Sequence, residues 1–250
     1  MANGDSEPTP STSSQAATPT WSPASSHTPP ASSSSQKYKA DDLVTLLVGS
    51  EKQEKFVVHG YRLAESSEFF RTALKKEWEE SQTRVIKLPE EDTEDTTNYL
   101  NFVFEGVLPT HAITNGNEMR DADSYAHHVL CYLYAFGERR LDAKLRNAII
   151  KEFIRLSSWP DDEGAYYYPG WGAAVTAYET TPAESPLRRL LVDMLVAFGC
   201  PEWLGTFDTD KEGHLEPLFD VVKEFSRRAE NQQNPGEFRD KYLSAENYFV

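Results

Sequence analysis

His127 and Cys131 stand four residues apart, a spacing that places an imidazole and a thiol on one helix face. Both are zinc ligands, but two fall short of the four a structural zinc takes, so packing is the expected role of Cys131. Cys200 precedes Pro201, whose ring stops a helix; the pair reads as a helix end and not as a redox or haem site. His59 follows Val57-Val58 at a strand-to-helix corner, where an imidazole bonded to nearby backbone is expected rather than a base. The acidic runs Glu79-Glu80, Glu90-Glu91-Asp92 and Asp161-Asp162 sit in polar stretches and read as solvated surface. No Gly-x4-Gly-Lys-Ser/Thr loop, Gly-x-Gly-x-x-Gly turn, Gly-x-Ser-x-Gly elbow or His-Glu-x-x-His helix occurs. Catalysis is not expected, and no cofactor is implied.

Partner recognition is better served. Tyr166-Tyr167-Tyr168-Pro169-Gly170-Trp171 packs four aromatics into six residues. Tyr and Trp bury a large area while keeping a polar handle, which enriches them at interface hot spots. The same residues could instead plug a seam between two parts of the fold. The pairs Arg139-Arg140, Arg188-Arg189 and Arg227-Arg228 are too short and scattered for a nucleic-acid stripe, and pairing with local acids is expected.

The charge balance agrees. Across 250 residues, 25 Lys and Arg face 40 Asp and Glu, a net −15. So acidic a chain is a poor ligand for phosphate backbones or anionic membranes, whose affinity comes from Lys and Arg. No stretch approaches the ~20 apolar residues of a membrane span, and no secretory leader is readable. Two cysteines make no disulfide framework and suit a reducing compartment, so the cytoplasm or nucleus is expected.

Residues 1–36 differ from the rest. Ser, Thr and Pro fill 22 of these 36 positions, and Trp21 is the one Phe, Trp or Tyr among them. With no apolar face to bury, such a tail cannot offset the entropy of ordering and is expected to be disordered. It holds only two acids, so residues 37–250 carry 25 basic and 38 acidic groups, or −13.

From Leu43 the pattern turns to short elements. Leu43–Val48 and Phe56–His59 read as a strand hairpin, and the near-continuous apolarity of the first predicts cover on both sheet faces. Short helices are expected at 61–64 and 69–74, with Ser66 or Ser67 capping the second, and a third strand at Arg84–Leu88 stopped by Pro89. Asp92 should cap a helix through Phe104 that buries Leu100, Val103 and Phe104. An edge strand is expected within Val107–Ile113, then a loop over Thr114–Asp121. Beyond this the periodicity is helical: 122–136 with Tyr125, Val129, Leu133 and Phe136 on one face, then 141–156, 172–180, 186–198 and about 217–229.

The run Asp42-Leu43-Val44-Thr45, Phe56-Val57-Val58-His59, Leu63-Ala64, Ser67-Glu68-Phe69-Phe70 and Ile86-Lys87-Leu88-Pro89-Glu90 resembles the BTB/POZ domain. Tyr99-Leu100-Asn101-Phe102-Val103-Phe104-Glu105-Gly106 continues the likeness, which covers about 40–137. The segment Tyr178-Glu179-Thr180-Thr181-Pro182 with Pro186–Asp193 looks like the helical extension of fungal BTB proteins. The resemblance implies an α+β fold: residues 1–36 a tail, 37–137 a small mixed sheet covered by short helices, and 138–250 a helical extension. It implies a protein–protein interaction module, as a substrate adaptor for a cullin-type ubiquitin ligase or as a transcription-associated regulator acting by recruitment. Dimerising members swap a strand and helix ahead of the Asp-Leu-Val segment. Gln36-Lys37-Tyr38-Lys39 cannot make an amphipathic helix there, which disfavours the swapped homodimer. Family adaptors meet their scaffold through positions matching Glu105–Ile113 and Met119–Tyr125. The expected partner-binding residues are therefore Glu105, Leu108, His111, Ile113, Met119 and Tyr125, with Tyr168 and Trp171 from the aromatic cluster.

Overall fold

The computed structural model describes residues 42–75, 77–110, 119–158, 166, 168–199, 215–231 and 244–250. The expected disordered tail at 1–36 lies outside them.

Strand β1 (Leu43–Val48) pairs antiparallel with β2 (Glu54–His59), Leu43 opposite His59 and Val48 opposite Glu54. It pairs in parallel with β3 (Val85–Leu88), Thr45 opposite Val85, so the order is β2-β1-β3. Gly49 turns the hairpin at a φ of 91°, a left-handed conformation that a side chain disfavours. Alternation sends Val44, Leu46, Val48, Ile86 and Leu88 into the core. The other face is not covered as expected: Leu43 and Val57 are exposed, Thr45 and Leu47 half-exposed. The side chains that pack on the sheet, among them Leu63, Phe70 and Tyr99, join the core through the Val44–Leu46–Val48 face.

A parallel pair needs a crossover, supplied by α1 (Gly60–Ser66), α2 (Glu68–Ala73) and α3 (Glu79–Thr83). Ser67 caps α2 by accepting from the Phe70 amide at 3.2 Å. The five-residue α3 has no apolar stripe and was not legible as a helix. Arg84 ends it in a left-handed turn, then pairs with Asp42 at 3.1 Å and donates to the Leu43 carbonyl at 3.1 Å. Asp42 also accepts from the Tyr61 amide at 2.8 Å, tying the start of β1 to α1.

Helix α4 (Thr93–Glu105) starts as expected: Asp92 accepts from the amides of Glu94 and Asp95 at 2.6 and 3.4 Å. Its buried stripe is Thr96, Tyr99 and Leu100, whereas Val103 and Phe104 are only half-buried. After Gly106 the chain is irregular at Val107 and Leu108 and enters a 3-10 turn at Pro109-Thr110, where an edge strand was expected. Pro109 has no N–H to offer a ladder, and Thr110 is taken instead by the buried Glu152.

Helix α5 (Met119–Arg139) begins three residues earlier than its periodicity suggested. Val129, Leu133 and Phe136 are buried as expected, but so are Ala126, His127, Leu130, Cys131, Tyr134 and Ala135. A helix apolar on nearly every side is a central helix. Phe136 meets Tyr99 at 4.7 Å between ring centroids, while the Cys131 thiol donates to the Ala173 carbonyl at 3.4 Å. One helix thus serves both halves across the expected boundary at 137/138, and residues 37–250 form one unit.

Helix α6 (Ala143–Ser158) buries Leu145, Ile149, Ile150 and Phe153; Leu141, expected on this stripe, lies before the helix in a left-handed turn and is exposed. Helices α7 (Trp171–Thr180), α8 (Pro186–Phe198) and α9 (Leu215–Glu230) complete the stack, α8 starting on Pro186 at its first turn. A final 3-10 turn at Ala245–Tyr248 puts Tyr248 in the core.

Buried polar groups among the described residues join these parts. Asp142 accepts from the Leu145 amide at 2.9 Å, from the Tyr99 hydroxyl at 3.1 Å and from Ser66, joining α6, α4 and α1. Glu91, expected on a solvated surface, is buried and bonded to Arg139 at 2.7 and 3.0 Å and Arg140 at 2.5 Å. Burial pushes its carboxyl up, but the Arg139 hydrogen bond and both guanidinium charges bring it below the usual range. In the extension, Arg188 donates to the Tyr178 carbonyl at 2.6 Å, to Thr181, and to Glu216 at 2.8 Å. The arginine pairs therefore mostly reach acids and carbonyls distant in sequence; only Arg227 and Arg228 with Glu224 match the local pairing expected of them.

Candidate partner-binding surfaces

The first surface is the outer ridge of α4. Residues spaced three and four apart share a helix face, and Glu94, Thr97, Asn101 and Glu105 form the exposed line. Both ends of the helix are pinned. Asp92 caps the start, and Arg62 donates to the Val103 and Phe104 carbonyls at 2.9 and 2.8 Å with its guanidinium 5.7 Å from the Phe104 ring centre. Gly106 then turns the chain at a φ of 72°, leaving Glu105 and Val107 outside.

The expected partner residues divide sharply here. Glu105 is exposed at the C-terminal end of α4. Leu108, three residues on, is buried in the main core and is not on the surface. His111 and Ile113 lie outside the described residues, and Met119 is placed only as the first residue of α5. Tyr125 is 58% exposed and its hydroxyl donates to Glu94 at 2.7 Å. Eleven residues of helix separate Glu94 from Glu105, about 16 Å at 1.5 Å per residue. Glu105 and Tyr125 therefore mark opposite ends of one ridge rather than one spot.

Charge is concentrated at the Tyr125 end. Burial and the neighbouring Asp92 raise the Asp95 carboxyl to about 6, with Glu91 and Glu94 adding and Arg139 opposing. The hydrogen bond to Glu94, and that carboxylate's charge, hold the Tyr125 phenol above its ordinary value.

The aromatic cluster lies elsewhere. Tyr168 is half-buried and stacks on Phe198 at 4.4 Å. Trp171 is 2% exposed and packs with Ala174, Val175 and Leu195 against Leu218 and Val221 of α9. It fills a seam, but one inside the extension rather than between core and extension, because its face of α7 is turned to α9. Among the described residues no group of three or more His, Cys, Asp and Glu is placed to hold a metal. His127 stacks on Phe153 at 5.4 Å while Cys131 faces Ala173, and burial pushes that thiol well up. No helix among them is long and apolar enough to cross a membrane.

A second surface escaped the sequence reading. Leu215, Phe219, Val222 and Phe225 of α9 are each between 52% and 70% exposed. Steps of four, three and three put them on one line of the helix. The adjoining strip with Leu218 and Val221, and the far side with Pro217 and Arg228, are turned inward. The signal was available: Leu215, Leu218, Phe219, Val221, Val222 and Phe225 form one broad apolar face of α9. The sequence alone does not say which part of that face is covered.

No curated protein matches the chain. The family model for the BTB/POZ domain matches residues 35–134, from just before β1 into α5. Such domains serve protein–protein interaction and adaptor roles and are non-catalytic. The β2-β1-β3 sheet, its crossover helices and the α4–α5 pair make residues 35–134 of this chain a BTB/POZ domain, continued by a stack of helices.

Proposed function

We propose that the chain is an adaptor: the BTB/POZ domain takes a cullin-type ubiquitin-ligase scaffold on the α4 ridge, and the helical extension takes a second protein. The observation that carries this reading is the fixed, outward C-terminal end of α4. Arg62 holds its last carbonyls, and Glu105 and Val107 stand exposed beyond them. A surface already ordered before binding loses little entropy on contact. Tyr125 and Glu94 extend it to the other end of the helix. We also assign helices α7–α9 to the extension type of fungal BTB proteins, on the resemblance of residues 178–182 and 186–193. With no strand-and-helix former at 36–39, the working state is a monomer, and a buried free thiol at Cys131 suits the cytoplasm or nucleus.

Titration calorimetry of the full chain against purified cullin N-terminal domains tests the first contact. Glu105→Lys and Tyr125→Ala should each weaken binding by about tenfold or more. No measurable heat with any cullin removes the ligase reading. Native recovery of chromatin-associated factors in its place would turn the assignment to transcriptional recruitment. Light scattering that gives twice the mass of one chain would overturn the monomer.

A further inference from the structure

We propose that the outer face of the sheet, the one turned away from the core, is a docking site for an acidic amphipathic helix of another protein. This goes beyond the adaptor reading and rests on neither the α4 ridge nor the extension.

The register fixes what that face presents. His59 lies opposite Leu43, Val57 and Val85 flank Thr45, and Lys55 and Lys87 flank Leu47. Residues directly opposite one another share a face, and the alternate set, Val44, Leu46 and Val48, is the buried one. A strand with one side in water alternates apolar with polar residues. Strand β1 instead keeps Leu43 and Leu47 on its outer side, beside Val57 and Val85. That is the composition of a strand covered twice, and the described residues leave its outer cover open, with Leu43 and Val57 exposed.

Charge at the face selects the occupant. Lys55 and Lys87 are both exposed, and among the described residues neither is held in an ion pair. No Asp or Glu stands in the three rows of this face. Glu54 is opposite the buried Val48 and shares its side, and the hairpin turn holds one charge of each sign, Glu51 and Lys52. The face is therefore positive on a chain of −15. Screening acts over about 8 Å at physiological salt, so a segment seated there meets the lysines and not the distant acids. A second copy pairing by the same face would set lysine against lysine.

Shape selects a helix. The outer two of three strands lie about 10 Å apart, and the length of β1 is about 20 Å. One α-helix, about 10–12 Å across, covers that width, and about 13 residues of it cover the length. Helices are what sheets of this size take as cover. Laid along β1, such a helix sets its apolar stripe on Leu43, Leu47, Val57 and Val85, with a carboxylate on each flank facing Lys55 and Lys87. A lysine on each edge strand also keeps a further strand from adding beside β2 or β3, so the partner lies over the face and does not extend the sheet.

The test uses the full chain and three synthetic peptides of about 14 residues. One is a stapled helix with leucines at i, i+3, i+4 and i+7 and glutamate on both flanks. The second has lysine in place of glutamate, and the third is the glutamate sequence broken by prolines. Fluorescence anisotropy should give at least about tenfold tighter binding of the Leu/Glu helix than of the Leu/Lys helix, a margin that shrinks as salt rises. The double variant Lys55→Glu with Lys87→Glu should reverse that preference at an unchanged melting temperature. Equal binding of both helices, or an unreversed preference in the variant, overturns the proposal. Equal binding of the proline-broken peptide overturns it by assigning an extended ligand. A lowered melting temperature of the variant does so too, because acids elsewhere in the chain would then already cover these lysines. Light scattering at twice the mass of one chain, lost in the variant, would assign the face to a second copy. Failure here leaves the cullin titration untouched, and Glu105→Lys should bind the Leu/Glu helix as the parent does.

Discussion

The two ends of the molecule rest on the same central helix yet are fastened differently. On the sheet side, α5 meets a continuous apolar core through Phe136, Tyr99 and Phe70, and buried carboxylates, Asp142 and Glu91, close the joints. In the α7–α9 stack the apolar cluster under α9 is small, and the fastening falls to buried arginines, Arg188 and Arg228, that reach carbonyls and acids on neighbouring helices. The outer surfaces differ in the opposite sense. The α4 ridge is polar, while the exposed face of α9 is apolar. A helix held by polar bonds on its inner side can keep an apolar outer side without collapsing inward.

The sharpest way to break the comparison is Arg188→Ala. It leaves the Tyr178 and Thr181 carbonyls without their donor and removes the guanidinium packed 4.4 Å from the Tyr178 ring. A loss of about 4 kcal/mol is expected. Regional hydrogen exchange should place it in α7–α9, with the sheet amides protected as before. Uniform loss would mean that the two ends unfold as one.

Glu91→Gln tests the sheet side. It leaves Arg139 and Arg140 without their shared carboxylate and should cost about 3 kcal/mol in urea unfolding. Because the carboxyl is held below its ordinary value of 4.5 when folded, its contribution is complete above that value and is lost as pH falls through the lower folded one. The variant should therefore flatten the acid limb of the stability curve and leave the neutral region parallel to the parent.

Tyr99→Phe removes one donor to Asp142 while Ser66 and the Leu145 amide remain. About 1–2 kcal/mol should be lost, readable as a shifted urea midpoint with an unchanged slope.

The smallest effect has the opposite sign. Asp95 has a folded value of about 6 against 3.8 unfolded, so the native state holds its proton longer. Its contribution is complete below 3.8 and lost as pH rises through about 6. Discounted for partial exposure, Asp95→Asn should gain about 1 kcal/mol at pH 7.5 and little at pH 4. Equal gains at both pH values would place the effect in helix propensity.

Much of the architecture was readable from local chemistry. Strand alternation from Val44 to Val48, the Asp92 cap, the Ser67 cap and the Pro186 start each follow from what one residue does to the backbone beside it. The α3 helix was missed because it is too short to carry a period. The edge strand after Gly106 was wrongly expected because alternation within Val107–Ile113 is weak beside the constraint Pro109 imposes.

What the sequence determined by itself was therefore the order and type of the elements, the acidic charge and the family likeness, all properties of neighbours along the chain. Tertiary structure alone decided which part of the apolar face of α9 is covered, and that Trp171 fills a seam. It also sent Leu108 into the core and made Glu91 the acid of Arg139 and Arg140, 48 and 49 residues away. Those outcomes depend on which surfaces compete for burial once distant segments meet, and a helical period records that a face is apolar without recording what it will meet.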